Sequence, residues 1–307
     1  MFYRLNRHKM SGTSLPELLV ATIIAVIVLS ALISTYIGVK HSYQKYKDKT
    51  TTDAKELQVK SIFYNFIKRT GFACQFGSQN QTYHDRTSDS LDSFFHDSSM
   101  IRIGQLPLGT SDHVAQSLEA SCSGDCFQPG TDYIMIKREE SRTFLTGVNS
   151  LSTELSLDSV DDISVGDYLL LCNKNDINLL KVASISSGSS SVVNLSESPQ
   201  GSDYYPGDYV GKYSLEVLYI RDSGAVDEAG QTIFSLYVYI KNSESNGMSY
   251  ELVRGVQNLQ IETATVSNGN LTWSAIPSEL DLSSSNSPAL KISFSIGEQT
   301  FSRIINL

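Results

Sequence analysis

Positive charge is in short supply: 24 Lys and Arg against 33 Asp and Glu leave a net charge of −9 over 307 residues. That balance excludes the broad basic surface a nucleic-acid-binding protein uses, so no nucleic-acid partner is expected, and it favours solubility. Charge of either sign is also sparse, at 19% of residues. The polar surface must come from Ser, Thr, Asn, Asp and Gly, the residues of turns between short strands. No Gly-rich phosphate loop, no G-x-S-x-G and no nucleophile–base signature occurs, so no catalytic residue is assigned and an enzyme is not expected. There are only four cysteines. "CSGDC" has neither the second cysteine pair nor the histidines of a zinc site, and its spacing is one residue longer than a redox C-x-x-C. Neither a metal nor a cofactor is expected. Helix breakers are missing from Leu15 to Thr70 except for Pro16 and Gly38.

What fills that unbroken stretch is apolar. Leu18 to Val39 is 22 residues without a formal charge, enough to cross a bilayer as a helix. Before it, "MFYRLNRHKMSG" holds Arg4, Arg7 and Lys9 and no acid, which favours a cytoplasmic N-terminus. The run is longer than a secretory signal core, so the span is expected to be retained. One residue is out of keeping: Glu17 stands at the edge of the apolar run, where a lone carboxylate is costly. "SLPE" offers one account, a capping box with Ser14 at the N-cap, Pro16 in the first turn and Glu17 satisfying free N–H groups.

Beyond the span, Val59, Ile62, Phe63, Phe66 and Ile67 recur at helical spacing and predict an apolar stripe covered by a sheet. Lys68, Arg69 and Gly71 are suited to the helix end. Thr50 to Thr52, with Asp53 able to start a new cap, mark a place where the helix is open to a break. Residues 75–130 read as long polar loops with room for a short strand or helix. From Thr131 onward "DYIMIKR", "DYLLLCN", "NLLKVASI", "SVVNL", "YSLEVLYI" and "IFSLYVYI" read as strands. The last residues, "LKISFSIGEQTFSRIINL", predict a hairpin turning near Gly297. The fold class is therefore α+β, a long N-terminal helix packed on a β-rich globular head.

Cys74, Cys122, Cys126 and Cys172 all follow the span, and four cysteines allow three pairings. Two structural disulfides are expected, with a tight Cys122–Cys126 loop and Cys74–Cys172 the preferred arrangement. His84–Asp85, His96–Asp97 and Asp112–His113 are the only groupings suited to acid–base or metal chemistry, and solvated loop is the stronger reading for all three. "NKNDIN" (Asn173 to Asn178) carries too few carboxylates for calcium and reads as a hairpin turn.

A basic leader, Gly12, and then "TSLPELLVATIIAVIVLSAL" together resemble the class III signal of type IV pilins and type II secretion pseudopilins. The resemblance implies that a prepilin peptidase cuts after Gly12, that the new first residue, Thr13, is N-methylated, and that Glu17, fifth from the cut, serves subunit assembly. Thr13 replaces the commoner Phe or Met. "FIKRTGFAC" is similar to the helix end of PilW-like minor pilins, while "GDYLLLCNKNDINLLKV", "ELVRGVQNLQIE" and the C-terminal residues resemble patches of that group and of GspJ-type pseudopilins. The expected organisation is a leader at 1–12, a transmembrane and filament-core helix at 13–39, an amphipathic helical half at 40–71 and the head at 72–307.

The function so implied is that of a minor pilin that primes pilus assembly at or near the fibre tip. Its partners would be other minor and major pilins, the prepilin peptidase and the assembly platform of the inner membrane. The chain would cross that membrane once with its head periplasmic, then pass into the pilus at the cell surface. Adhesion and motility would be properties of the fibre. A GspJ-like minor pseudopilin is the nearest rival; a membrane-tethered binding module and a tethered hydrolase are the others.

Overall fold

Glu17 opens and Lys68 closes the charged ends of α1, a 54-residue helix over Leu15–Lys68. The computed structural model describes residues 15–74, 81–87, 95, 99–106, 118, 126–187, 191–244, 247–267, 269–276, 279–282 and 287–307. These fall into two units, one up to Ala54 and one over Lys55–Leu307. The threonine run does not interrupt α1. Thr50 and Thr51 donate their hydroxyls to the carbonyls of Tyr46 and Lys47, at 2.8 and 2.9 Å, so the side chains bond within the helix instead of ending it. The end comes where the breaker is. Gly71 has φ +108°, and its N–H leaves the helix to bond the carbonyl of Lys137 at 2.9 Å.

Among the described residues the second unit holds fifteen strands. The first ten are β1 (Thr82–Asp85), β2 (Ile101–Gln105), β3 (Asp132–Phe144), β4 (Glu154–Leu157), β5 (Tyr168–Cys172), β6 (Asp176–Ser187), β7 (Ser191–Leu195), β8 (Tyr209–Val226), β9 (Thr232–Lys241) and β10 (Met248–Arg254). The rest are β11 (Val256–Ser267), β12 (Asn270–Ala275), β13 (Glu279–Leu282), β14 (Ala289–Ile296) and β15 (Gln299–Asn306). Eleven of them form one sheet, ordered β13-β2-β3-β8-β5-β6-β7-β4 with β9 on β8, β10 on β9 and β1 on β6. Its pairings are antiparallel except for β1 on β6. The other sheet is antiparallel, ordered β12-β11-β14-β15, and its last hairpin turns at Gly297 and Glu298.

The central strands read as nearly continuous apolar runs because both of their faces are covered. In β3, Ile134 and Ile136 enter one core while Tyr133 and Met135 enter another. In β8, Leu218 and Ile220 divide from Leu215, Val217 and Tyr219 in the same way. The first core receives the helical stripe: Val59, Phe63, Phe66 and Ile67 pack with Ile134 and Leu218 of the large sheet and with Leu290, Ile292 and Phe294 of the small one. The second core is aromatic, and residues following the helix, Phe72, Cys74 and Phe95, lie in it. A third joins Leu155, Leu157, Leu169, Leu171, Leu180 and Val193 around β4 to β7. A long apolar N-terminal helix with a body of two sheets makes the chain α+β.

Candidate functional site

The membrane-length segment of α1 carries the most pointed chemistry. An 18-residue window of the helix reaches a mean hydropathy of 2.7 with none of it buried. Leu18, Ile23, Val26, Ile27, Leu29 and Leu32 are each more than half exposed. Leaving one such side chain in water costs about 1.5–3 kcal/mol relative to covering it. A run of them around the whole circumference requires lipid or another chain. The few polar side chains in the run are satisfied within the helix. Thr22, Ser30, Ser34 and Thr35 donate to the carbonyls of Leu19, Ile27, Ser30 and Ala31 at 2.8–3.0 Å, which removes their cost in hydrocarbon.

The two ends of the span differ. Glu17 lies in the first turn of α1, where the helix dipole favours a carboxylate. Gly12, Thr13 and Ser14 lie outside the described residues. At the far end Tyr36, Tyr43 and Tyr46 are exposed beside Lys40, Lys45, Lys47 and Lys49, the composition of a membrane–water interface. The helix is therefore compatible with a single-pass anchor.

A second constellation lies at the β5–β6 hairpin. Cys74 is disulfide-bonded to Cys172 across 98 residues of sequence, and both are fully buried. Gln81 Nε2 donates to the carbonyls of Cys74 and Asn173, at 3.2 and 2.8 Å. The "NKNDIN" turn is an Asx turn, with Asn173 Oδ1 accepting from the N–H groups of Asn175 and Asp176 at 2.8 Å each. Cys126 is also disulfide-bonded; Cys122 lies outside the described residues.

His84 joins this cluster through the parallel pairing of β1 with β6. Its Nε2 lies 3.0 Å from Asp176 Oδ1, while Ser202 donates to Asp176 Oδ2 from its N–H at 3.0 Å and its hydroxyl at 2.7 Å. Burial alone would raise the Asp176 pKa, but the bonds from Ser202 and His84 outweigh it and hold the carboxyl below the usual range. The Ser202 hydroxyl is directed at the carboxylate and not at the imidazole, so the three groups lack the order in which a base activates a serine. Asp85 is engaged elsewhere, its Oδ1 accepting from the N–H and hydroxyl of Thr87 at 2.8 and 2.6 Å. His96, Asp97, Asp112 and His113 lie outside the described residues. Among the described residues no three His, Cys, Asp or Glu converge as a metal site.

Sequence reasoning missed Asp176 and Ser202. One signal was available in Gly201, whose φ is +99°. A β-carbon there would lie 2.3 Å from Asp176 Cγ, so only glycine fits beside the carboxylate. No known protein family, curated protein or solved structure matches the chain.

Proposed function

We propose that this protein is a minor type IV pilin, cut after Gly12 by a prepilin peptidase, N-methylated at Thr13 and assembled at or near the tip of a pilus. The observation that carries the reading is Glu17 in the first turn of a helix whose next 22 residues, Leu18 to Val39, bear no charge. A cut after Gly12 creates an ammonium at Thr13, and in a helical array that charge meets Glu17 of the neighbouring subunit. Pairing reduces the cost of either charge in an apolar surrounding and sets the axial register between subunits.

Before assembly the helix anchors the chain in the inner membrane, N-terminus cytoplasmic, with the β-rich portion in the periplasm, where cysteines oxidise. More than 230 residues follow Gly71, a bulk that a rare subunit at a fibre's end carries more easily than one repeated along its length. The partners are other minor and major pilins and the inner-membrane assembly platform. The fully oxidised state of the described cysteines agrees with that compartment.

The test is composition of the assembled fibre. Filaments sheared from native cells and analysed by mass spectrometry contain the chain, at low copy number relative to the major subunit. Glu17→Leu leaves the membrane-bound amount unchanged and removes the chain from the filaments. Recovery with secretion pseudopilins instead moves the assignment to a GspJ-like pseudopilin. A chain that stays in the membrane whatever occupies position 17 refutes the filament reading.

A further inference from the structure

On the face of the large sheet turned toward the helical stripe, two strands break their own pattern. β3 presents Ile134 and Ile136 to the first core, and the next residue on that face is Arg138. β8 presents Ile220 and Leu218 to it, and the next is Glu216. Glu216 lies directly between Ile136 of β3 and Ile240 of β9 in the sheet register and is only 5% exposed. Its acid is pushed above the usual range by burial, against the pull of the Arg138 charge.

The pair is unevenly satisfied. Arg138 Nε lies 2.6 Å from Glu216 Oε1, and that close contact, with the guanidinium charge, works against the effect of burial on the acid. The two terminal amino groups of Arg138 donate no hydrogen bond among the described residues, and the side chain is 22% exposed. Both arginine and glutamate open onto a groove of about 410 Å³, within the range of small-molecule sites. Ile62 and Phe66 of α1 form one wall, and Ile136, Leu218, Val238 and Leu252 form the floor. Arg69 stands at the same groove, and its guanidinium has no ion-pair partner among the described residues. Two arginines and one glutamate line the groove, in a chain of net −9, and the Glu140 carboxylate lies near enough to raise the Glu216 acid further.

We propose that this groove binds a small monocarboxylate with an apolar body, its carboxylate gripped by the terminal amino groups of Arg138 and by Arg69. The planar guanidinium offers paired donors at the spacing of the two carboxylate oxygens. The apolar body lies on Ile136, Leu218 and Leu252. Most of the floor disfavours a peptide, because β3, β8 and β9 are interior strands whose backbone groups are taken up by their neighbours on both sides, while Leu252 comes from the edge strand β10. A peptide's own N–H and C=O groups would enter unpaired, at a cost a monocarboxylate avoids. The inference is independent of the filament reading.

The probe is 4-phenylbutanoate, titrated calorimetrically into the full chain held in nanodiscs of zwitterionic lipid, with empty nanodiscs as the blank. The result expected is saturable one-to-one binding, with the corresponding primary amide weaker by about tenfold or more, the effect of losing charge-assisted hydrogen bonds. Arg138→Gln and Arg69→Gln each weaken binding by about tenfold. Arg138→Gln also strands Glu216, so two milder variants keep the test decisive. Arg69 is exposed and its replacement leaves the fold unchanged; Ser61→Trp fills the groove from the exposed face of α1 and abolishes binding. The proposal is overturned by no binding at millimolar probe, by equal affinity for acid and amide, by binding that survives Ser61→Trp, or by tighter binding of an apolar peptide with an amidated C-terminus.

Discussion

Replacing both Cys74 and Cys172 by alanine removes the longest covalent tie in the chain, and its effect follows from loop length. The bridge spans 98 residues. For a loop of that size the entropy restored to the unfolded chain amounts to about 4.7 kcal/mol at 25 °C, with measured losses for native disulfides running at about 2–5 kcal/mol. For a body of this size each kcal/mol moves the melting temperature by about 2–4 °C. The double variant should therefore melt roughly 4–20 °C lower than the parent, while Cys122 and Cys126 remain in place. The assay is thermal unfolding of the full chain in detergent, followed by far-ultraviolet circular dichroism, beside urea unfolding to give the change in free energy. A fall of less than about 3 °C refutes the reasoning. It would mean that Gln81, which bridges the carbonyls of Cys74 and Asn173, and Glu139, which accepts from the Ala73 N–H at 2.9 Å, already order this segment without the covalent bond.

Three further outcomes are expected of the same body. Asp132 is buried, its Oδ2 accepting from the Ile261 N–H at 2.6 Å and its Oδ1 without a partner; burial raises its pKa from 3.8 to about 6 against that one bond. The folded state thus keeps a proton that the unfolded state releases, so this group's contribution is present at acid pH and lost as pH rises through about 6. Asp132→Asn should raise stability at pH 7.5 by up to about 3 kcal/mol and lose that advantage by about pH 4, as urea midpoints at the two pH values will show. Phe63, fully buried with its ring 6.0 Å from that of Phe294, should cost about 3–5 kcal/mol when cut to alanine, read from the urea midpoint. Gly201→Ala should cost roughly 2 kcal/mol or more, because its β-carbon meets the Asp176 carboxyl. Gly207→Ala, also at positive φ but with open space around its β-carbon, should cost less in parallel thermal melts.

The parts of this fold legible in the sequence are those in which one physical demand dominates. Apolar length alone marks the membrane-length half of α1, the 3-and-4 spacing of Val59, Phe63, Phe66 and Ile67 marks its buried end, and Gly71 marks its stop. β3, β5, β8 and β9 announce themselves because cores on both faces demand apolar runs, and the β14–β15 hairpin does so by the alternation of β14 and the turn at Gly297. β10 and β12 do not, since most of their side chains are exposed and no period results. Thr50 to Thr52 misled in the other direction, because hydroxyls bonded to carbonyls one turn back fit inside the helix. The His84 cluster was illegible for a reason of topology: His84 and Asp85 are neighbours in sequence, but successive residues of a strand face opposite sides. The carboxylate that His84 meets, Asp176, is supplied 92 residues later by the parallel pairing of β1 with β6. Arg138 and Glu216 are likewise brought together only by the register of β3 on β8.

The central claim rests on what happens at the start of the chain. The most direct measurement is the intact mass and N-terminal sequence of the protein purified from its native membrane. The account predicts a chain that begins at Thr13 and carries one methyl group on its amino nitrogen, leaving Glu17 as the fifth residue from a positively charged amine. A chain that still begins at Met1 would contradict it, and Glu17 would then serve only as the cap of a membrane helix.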